Sequence, residues 1–337
     1  MRVLIALDKF RGTATEREAT AAVGHACWEL GHDADEAPMS DGGEGLLDVL
    51  GGPNRTSRVT GPLGSGVDAP WRLDRRTAII EMATASGLSL VGGAASNDPL
   101  RASTRGTGEL IERALEQGAR HIVVGLGGSA TTDGGLGAIE ALRSPARLSA
   151  VELELACDVR THFLEAAAVF GPQKGATPAQ VAMLSARLAG LAVRYRDEFG
   201  VDVTELDGGG AAGGMGGGLA ALGGRLRGGF ELVAEQLELD DRIRAADVVV
   251  TGEGYLDAQS FDGKVVGGIC ELAAGADRRA IVIVGDADPA VTNGAVAERF
   301  GETVRVLSLV ERYGEHRAMN EPRWCIEHAA AEALAAR

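Results

Sequence analysis

Short apolar runs alternate with amphipathic stretches along the whole chain. Val3 to Leu7 is the first run, and the turn Asp8 to Gly12 follows it. Thr13-x-x-Glu16 reads as a capping box opening a helix towards Gly31, where a glycine can close it. After Asp33 the spacing predicts a shorter strand ending near Met39, and Arg75 to Met82 is another strand. Gly108 to Gln117 is a helix with Leu110, Ile111, Ala114 and Leu115 on one face, closed by Gly118. His121 to Leu126 then reads as a buried strand. Thr177 is a cap followed by proline at the first helical position, and that helix can run to Phe199. In the last third, Asp247 to Val250 leads into Thr251-Gly252-Glu253-Gly254. Ile281 to Val284 leads into Gly285-Asp286, and Val304 to Leu307 is a further strand.

These runs are unalternating and end in polar turns, as expected of parallel strands covered on both faces. The fold class is therefore α/β. Ligands in such sheets bind beyond the carboxyl ends of the strands, and Asp8, Asp41, Glu253 and Asp286 are all expected just past strand ends.

Composition sharpens this reading. A chain of 337 residues can hold two domains, and with 45% hydrophobic but only 4% aromatic residues the core must be Ala, Val, Leu and Ile. The 49 glycines are about twice the usual share of ~7%, and they sit between apolar segments rather than in a linker. A net charge of −15 argues against nucleic-acid and anionic-membrane partners, so a small anionic substrate would need locally placed Lys and Arg. No apolar run approaches the ~18–20 residues of a membrane span, and the N-terminal run reaches Asp8 too soon for a signal peptide. The scattered Cys27, Cys157, Cys270 and Cys325 suggest reduced packing residues in a cytoplasmic protein.

Two glycine-carboxylate clusters carry the candidate chemistry: Asp41-Gly42-Gly43-Glu44-Gly45, and Gly127 to Gly135 with Ser129, Ala130, Thr131, Thr132 and Asp133. Glycine lets backbone N–H groups approach an anion, while carboxylates hold a cation or accept a proton. Tight turns with solvated acids explain one such cluster as well; several in one chain favour a site. Lys9 and Arg11 precede a helix and could hold a phosphate or carboxylate, with ordinary surface cations as an equal alternative. Lys264 opens a helix after Asp257 and Gly263 in the same way. Asp133 is a helix N-cap, a Mg²⁺ ligand or a base, and spacing favours the cap. In Asp207 to Gly218, Gly208-x-Gly210-x-x-Gly213 matches a dinucleotide fingerprint, but chance is the better reading among so many glycines. The six histidines show no metal spacing, and no Gly-x-Ser-x-Gly elbow or Walker A sequence occurs. What remains is a parts list for phosphoryl transfer.

Taken together, nine segments make the chain resemble the type I glycerate kinases, which phosphorylate glycerate with ATP. They include Asp8-Lys9-Phe10-Arg11-Gly12-Thr13, Ser40-Asp41-Gly42-Gly43-Glu44-Gly45, Glu81-Met82-Ala83-Thr84-Ala85-Ser86-Gly87-Leu88 and Gly106-Thr107-Gly108-Glu109-Leu110-Ile111. Gly125 to Gly135, Ala156-Cys157-Asp158-Val159, Val169 to Thr177, Gly210-Ala211-Ala212-Gly213-Gly214 and Thr251 to Asp257 complete the series in family order. The chain departs from the family pattern at Lys9 and Arg11, where Ser and Lys are usual, and at Tyr255, where Arg is usual. It is also short between Leu142 and Val151, has Arg160-Thr161-His162 after Asp158 and Val159 where Asn-Pro-Leu is usual, and matches only faintly beyond residue 285.

The resemblance implies a flavodoxin-like parallel-sheet domain built from both chain ends, residues 1–60 and 240–337, and an inserted α/β domain, residues 61–239. It implies an ATP- and Mg²⁺-dependent kinase acting on a hydroxyl of D-glycerate, with a homodimer compatible. Asp41, Asp133 and Glu253 are the metal candidates and, with Lys264, the catalytic ones. Asp8, Lys9, Arg11, Glu44 and Asp257 are expected at the substrate. Gly42, Gly43, Gly127, Gly128, Ser129, Ala130, Thr131, Gly213, Gly214 and Gly252 are expected at the nucleotide. Two alternatives stay open: a paralogue phosphorylating another small polyol or hydroxy acid, and a non-catalytic ligand-binding homologue.

Overall fold

A computed structural model describes residues 1–10, 12–261, 263–292 and 296–335. Its described strands are β1 (Arg2–Leu7), β2 (Asp33–Glu36), β3 (Arg55–Thr60), β4 (Gly66–Asp74), β5 (Thr77–Glu81), β6 (His121–Gly125), β7 (Glu152–Ala156), β8 (Arg225–Arg227), β9 (Val248–Leu256), β10 (Arg279–Ala287) and β11 (Val304–Ser308). The chain forms two compact units, Met1–Asp41 with Phe230–Arg337, and Gly42–Gly229. Residues 42–60, grouped by the sequence with the chain ends, lie in the second unit here because β3 pairs with β4. No described helix is long and apolar enough to cross a membrane.

The first unit holds one parallel sheet in the order β2-β1-β9-β10-β11. Counted within the unit that order is 2-1-3-4-5, the flavodoxin-like arrangement, whose topological switch lies between β1 and β9. Val3, Leu4, Ile5, Ala6 and Leu7 are all fully buried, so β1 is covered on both faces. Val3, Ile5 and Leu7 pack with Val23 and Cys27 of the helix Glu16–Glu29 and with Ile326 and Ala330 of the helix Pro322–Ala335. Each such Val, Leu or Ile side chain contributes ~1.5–3 kcal/mol by leaving water.

In the second unit six strands run β3-β4-β5-β6-β7-β8, antiparallel through the β3-β4-β5 meander and parallel from β5 onwards. Trp71 on β4 is fully buried and its indole N–H donates to Ser57 Oγ at 3.0 Å. The hairpin escaped the sequence reading because Arg55 to Thr60 is polar and largely exposed. The helix Arg105–Glu116 buries Leu110, Ile111, Ala114 and Leu115 as expected, but begins three residues earlier than the spacing predicts. Thr177 caps the helix Pro178–Phe199, with Gln180 completing a capping box.

Two local readings are corrected. The capping box of the first helix is Thr15 with Glu18, not Thr13 with Glu16. Thr13 is held one turn earlier, its hydroxyl donating to Phe10 O at 3.0 Å, where Phe10 and Ala14 form an isolated bridge. The second correction concerns β9, which does not stop at Val250 but continues through Glu253 to Leu256. Beyond the end of β1 its partner is β10, with Val284 opposite Glu253 and Asp286 opposite Tyr255.

The capping assignment predicts that Thr15→Ala lowers stability by about 1 kcal/mol in urea unfolding, while Thr13→Ala costs clearly less. Equal losses would restore the earlier box.

Candidate active site

The acidic residues of the first unit gather at the carboxyl edge of its sheet, at the β1/β9 switch. The Asp8 N–H continues the β1–β9 ladder, donating to Gly252 O at 2.9 Å. Asp8 Oδ1 accepts from Lys9 N–H at 2.7 Å, and Lys9 Nζ lies 3.3 Å from Asp41 Oδ1. Burial first, then the charge of Asp41, push the Asp8 carboxyl up to about 7; Lys9 opposes them and Glu253 adds to them. Asp41, Lys9 and Glu253 thus all lie within electrostatic reach of Asp8.

Other predicted residues of this unit stand differently. Asp257 Oδ1 accepts from Gln259 N–H at 2.8 Å and Ser260 N–H at 3.1 Å, so it caps the turn after β9. Lys264 is the backbone N-cap of the helix Val265–Gly275 and is half-buried, with no ion pair among the described residues. A cation at the positive end of a helix dipole is unfavourable unless an anion joins it. Asp286 is exposed at the end of β10; Ser308 Oγ lies 3.4 Å from its Oδ1. A cavity of about 520 Å³ lies beside these two, also lined by Glu311, Val304 and Val306. Its described lining carries acids and hydroxyls but no cation, which does not suit a phosphate. Arg11 lies outside the described residues.

In the second unit three glycine segments, far apart in sequence, pack together at the carboxyl ends of β5, β6 and β7. The Gly42–Gly45 segment crosses Gly127: a Cβ on Gly127 would lie 2.7 Å from Gly43 Cα. Gly213 meets Thr131 more closely, since a Cβ there would sit 2.0 Å from Thr131 O. Ala212, Gly213 and Gly214 are consecutive left-handed residues, φ 54°, 69° and 90°, and kink the helical segment Ala211–Ala220. Backbone against backbone is the reason for these glycines. Ser129 is nearly buried and Ala130 fully so; Ala130 N–H donates to Ser86 O at 3.0 Å.

Asp133 lies in this unit, whereas Asp41 and Glu253 belong to the first. Its Oδ2 accepts from Thr104 N–H (2.8 Å), Thr104 Oγ1 (2.9 Å) and Gly137 N–H (3.3 Å), and its Oδ1 from Gly135 N–H (3.1 Å). The N-cap of the helix Leu136–Ala141 is Gly135, not Asp133, which lies two residues earlier and ties the start of that helix to Thr104.

Two buried ionisable groups of this unit were not among the sequence candidates. Glu81, at the end of β5, accepts from Leu47 N–H at 2.6 Å and Gly45 N–H at 3.1 Å, and burial raises its carboxyl. Lys174 is 3% exposed and contacts the Ser129–Thr131 loop. The only sequence signal was their place in Glu81-Met82-Ala83 and Gly171-Pro172-Gln173-Lys174-Gly175.

Comparison with known proteins agrees along the chain. A family described as the glycerate kinase family matches residues 3–145 and 143–336. The glycerate 2-kinase of Escherichia coli (strain K12) is 38% identical over 325 residues, covering 85% of each chain. The glycerate kinase of Bacillus subtilis (strain 168) is likewise 38% identical over 325 residues and 85% of each chain. An uncharacterized protein of Mycobacterium tuberculosis (strain CDC 1551 / Oshkosh) is 42% identical, covering 94% of this chain and 86% of its own. The crystal structure of a putative glycerate kinase 2 from Salmonella typhimurium LT2 superposes with a TM-score of 0.81 at 34% identity, covering 99% of this chain and 98% of that one.

The raised carboxyl of Asp8 makes the stability of the fold depend on pH. The carboxyl's folded value, about 7, lies above the ordinary 3.8, so the folded state holds a proton that the unfolded chain has lost. The folded state therefore loses stability as pH rises from about 4 to 7. Asp8→Asn should therefore raise stability in urea unfolding by about 1–2 kcal/mol more at pH 8 than at pH 4, with an intermediate gain at pH 5. An equal effect at pH 8 and pH 4 would show that Asp8 does not titrate in this way.

Proposed function

This chain belongs to the glycerate kinase family, a kinase with an alcohol acceptor, and we propose that it transfers the γ-phosphoryl group of ATP to a hydroxyl of D-glycerate with Mg²⁺. The observation that carries the reading is the meeting of Asp8, Asp41 and Glu253 around Lys9 at the switch point of the parallel sheet. The charges of Asp41 and Glu253 both act on Asp8, and such an acidic rim suits a divalent cation. Hard carboxylate oxygens are the donor type that Mg²⁺ takes, so the residues fit the ion. Asp41 and Glu253 would hold it, and when bound it would neutralise charge on the transferring phosphoryl group.

The protein's own groups do the rest. The acceptor hydroxyl oxygen forms the new bond to the γ-phosphorus, the bond to the β–γ bridging oxygen breaks, and ADP leaves. Asp8 accepts the hydroxyl proton. Lys9 and Lys264 steady phosphate or carboxylate oxygens, Lys264 resolving the unfavourable placing of its charge at a helix N-terminus. The Gly127–Thr131 loop and Gly213–Gly214 give their fixed backbone to the nucleotide. Asp133 serves in this reading as an anchor beneath that loop rather than as a metal ligand, since backbone and hydroxyl donors already occupy both its oxygens. The 2-hydroxyl is the acceptor favoured by analogy with the Escherichia coli glycerate 2-kinase.

A second reading keeps the chemistry and changes the acceptor. It is motivated by Tyr255, 54% exposed on β9 beside the acidic group, at a position where the family usually has arginine.

A coupled ADP-release assay with D-glycerate tests the reading. Activity should require both ATP and Mg²⁺, and Asp41→Asn or Glu253→Gln should lower kcat at least ~100-fold with folding intact. Retained rates in both variants would remove this acidic group from the mechanism. Strong preference for another hydroxy acid or polyol in the same assay would select the second reading.

A further inference from the structure

We propose that Lys174 and the Ser129–Thr132 segment form a subsite for an anionic oxygen, carried by a phosphate or by a carboxylate. The inference rests on the reading that the Gly127–Thr131 loop meets a ligand, and it names the group that would charge that loop.

Lys174 Nζ donates to Ser129 Oγ at 2.8 Å and to Thr131 O at 2.7 Å. Both acceptors are neutral, and an ammonium has three N–H bonds to place. No described carboxylate forms an ion pair with it. A buried charge without a counter-ion is costly, and burial accordingly pushes this ammonium down to about 7, with only the charge of Asp133 opposing. Asp133 itself is already engaged by backbone and hydroxyl donors.

The surroundings supply further unspent donors. Thr131 Oγ1 and Thr132 Oγ1 are buried and have no hydrogen-bond partner. An anionic oxygen would take the third ammonium N–H and a threonine O–H together, turning an uncompensated charge into a charge-assisted contact. Simple bracing does not account for the lysine. Asn97 Nδ2 already ties the two segments, donating to Ala130 O at 3.0 Å and Lys174 O at 2.9 Å. A neutral side chain at 174 would pack there without the charge.

The test compares Lys174→Met and Thr131→Val with the unaltered enzyme by calorimetric titration of inorganic phosphate, ADP and D-glycerate, alongside thermal unfolding. The subsite predicts an unchanged or higher Tm for both variants. It also predicts at least about tenfold weaker binding for Lys174→Met, with a smaller loss for Thr131→Val. Weakening confined to phosphate and ADP assigns the anion to the nucleotide, and weakening confined to D-glycerate assigns it to the carboxylate. A lower Tm with unchanged binding overturns the proposal and leaves Lys174 a structural residue. Should Lys174→Met fail to fold, full binding by Thr131→Val overturns it equally. If the unaltered enzyme binds none of the three, the kinase reading itself fails and the subsite falls with it.

Discussion

Three carboxylates that repel one another are held together at the end of β1, and the first unit is arranged to keep them there. The charges of Asp41 and Glu253 raise the cost of ionising Asp8, and Lys9 lowers it. What keeps them together is registry. Leu7 lies opposite Gly252, the Asp8 N–H extends the ladder, and Val284 fixes Glu253 from the other side. The apolar residues beneath, buried on both faces of β1, make sliding along the strand expensive, because it would draw Asp8 into the apolar sheet or push an apolar residue out to its polar rim. Hydrophobic burial in the sheet therefore offsets an electrostatic cost at its rim.

The second unit meets the same demand with backbone rather than charge. Its parallel strands β5, β6 and β7 end where three glycine segments cross at distances that no side chain would permit. Such crossings leave peptide groups rigid without the bulk of side chains. Phosphoryl transfer depends on positioning and on neutralising charge more than on covalent chemistry by the enzyme. Fixed peptide dipoles, as in the second unit, and pre-gathered carboxylates, as in the first, are two devices of that kind.

Much of this was legible in the residues, because short unalternating apolar runs have few other uses. The parallel strands at Val3, His121, Ile281 and Val304 follow from that pattern, and Thr177-Pro178 fixed a helix start through local chemistry alone. The polar hairpin at Arg55 and Gly66 left no such trace, since its stability comes from pairing and from Trp71 beneath it. Glu253 was misjudged for a related reason: Thr251-Gly252-Glu253-Gly254 has the composition of a turn, and only the neighbouring strand β10 keeps it extended. The two threonine-glutamate spacings at 13/16 and 15/18 are indistinguishable in sequence. Contact between Phe10 and Ala14 decides between them.

The candidate site was legible in kind but not in role, and the contrast between Asp133 and Lys174 explains why. In sequence Asp133 is the more conspicuous residue, a carboxylate amid glycines, while Lys174 is a single cation after Gly-Pro-Gln. Hydrogen-bond accounting reverses their order. Every oxygen of Asp133 is met by donors from its own chain, so its charge is spent on holding Thr104 and the helix Leu136–Ala141 in place. The charge of Lys174 meets only neutral acceptors. A group whose partners are all internal has a structural use that explains it fully, whereas a buried charge with incomplete partners implies one supplied from outside. Residue type and spacing cannot separate these cases, because the difference lies in which lone pairs and N–H bonds the folded backbone has already taken.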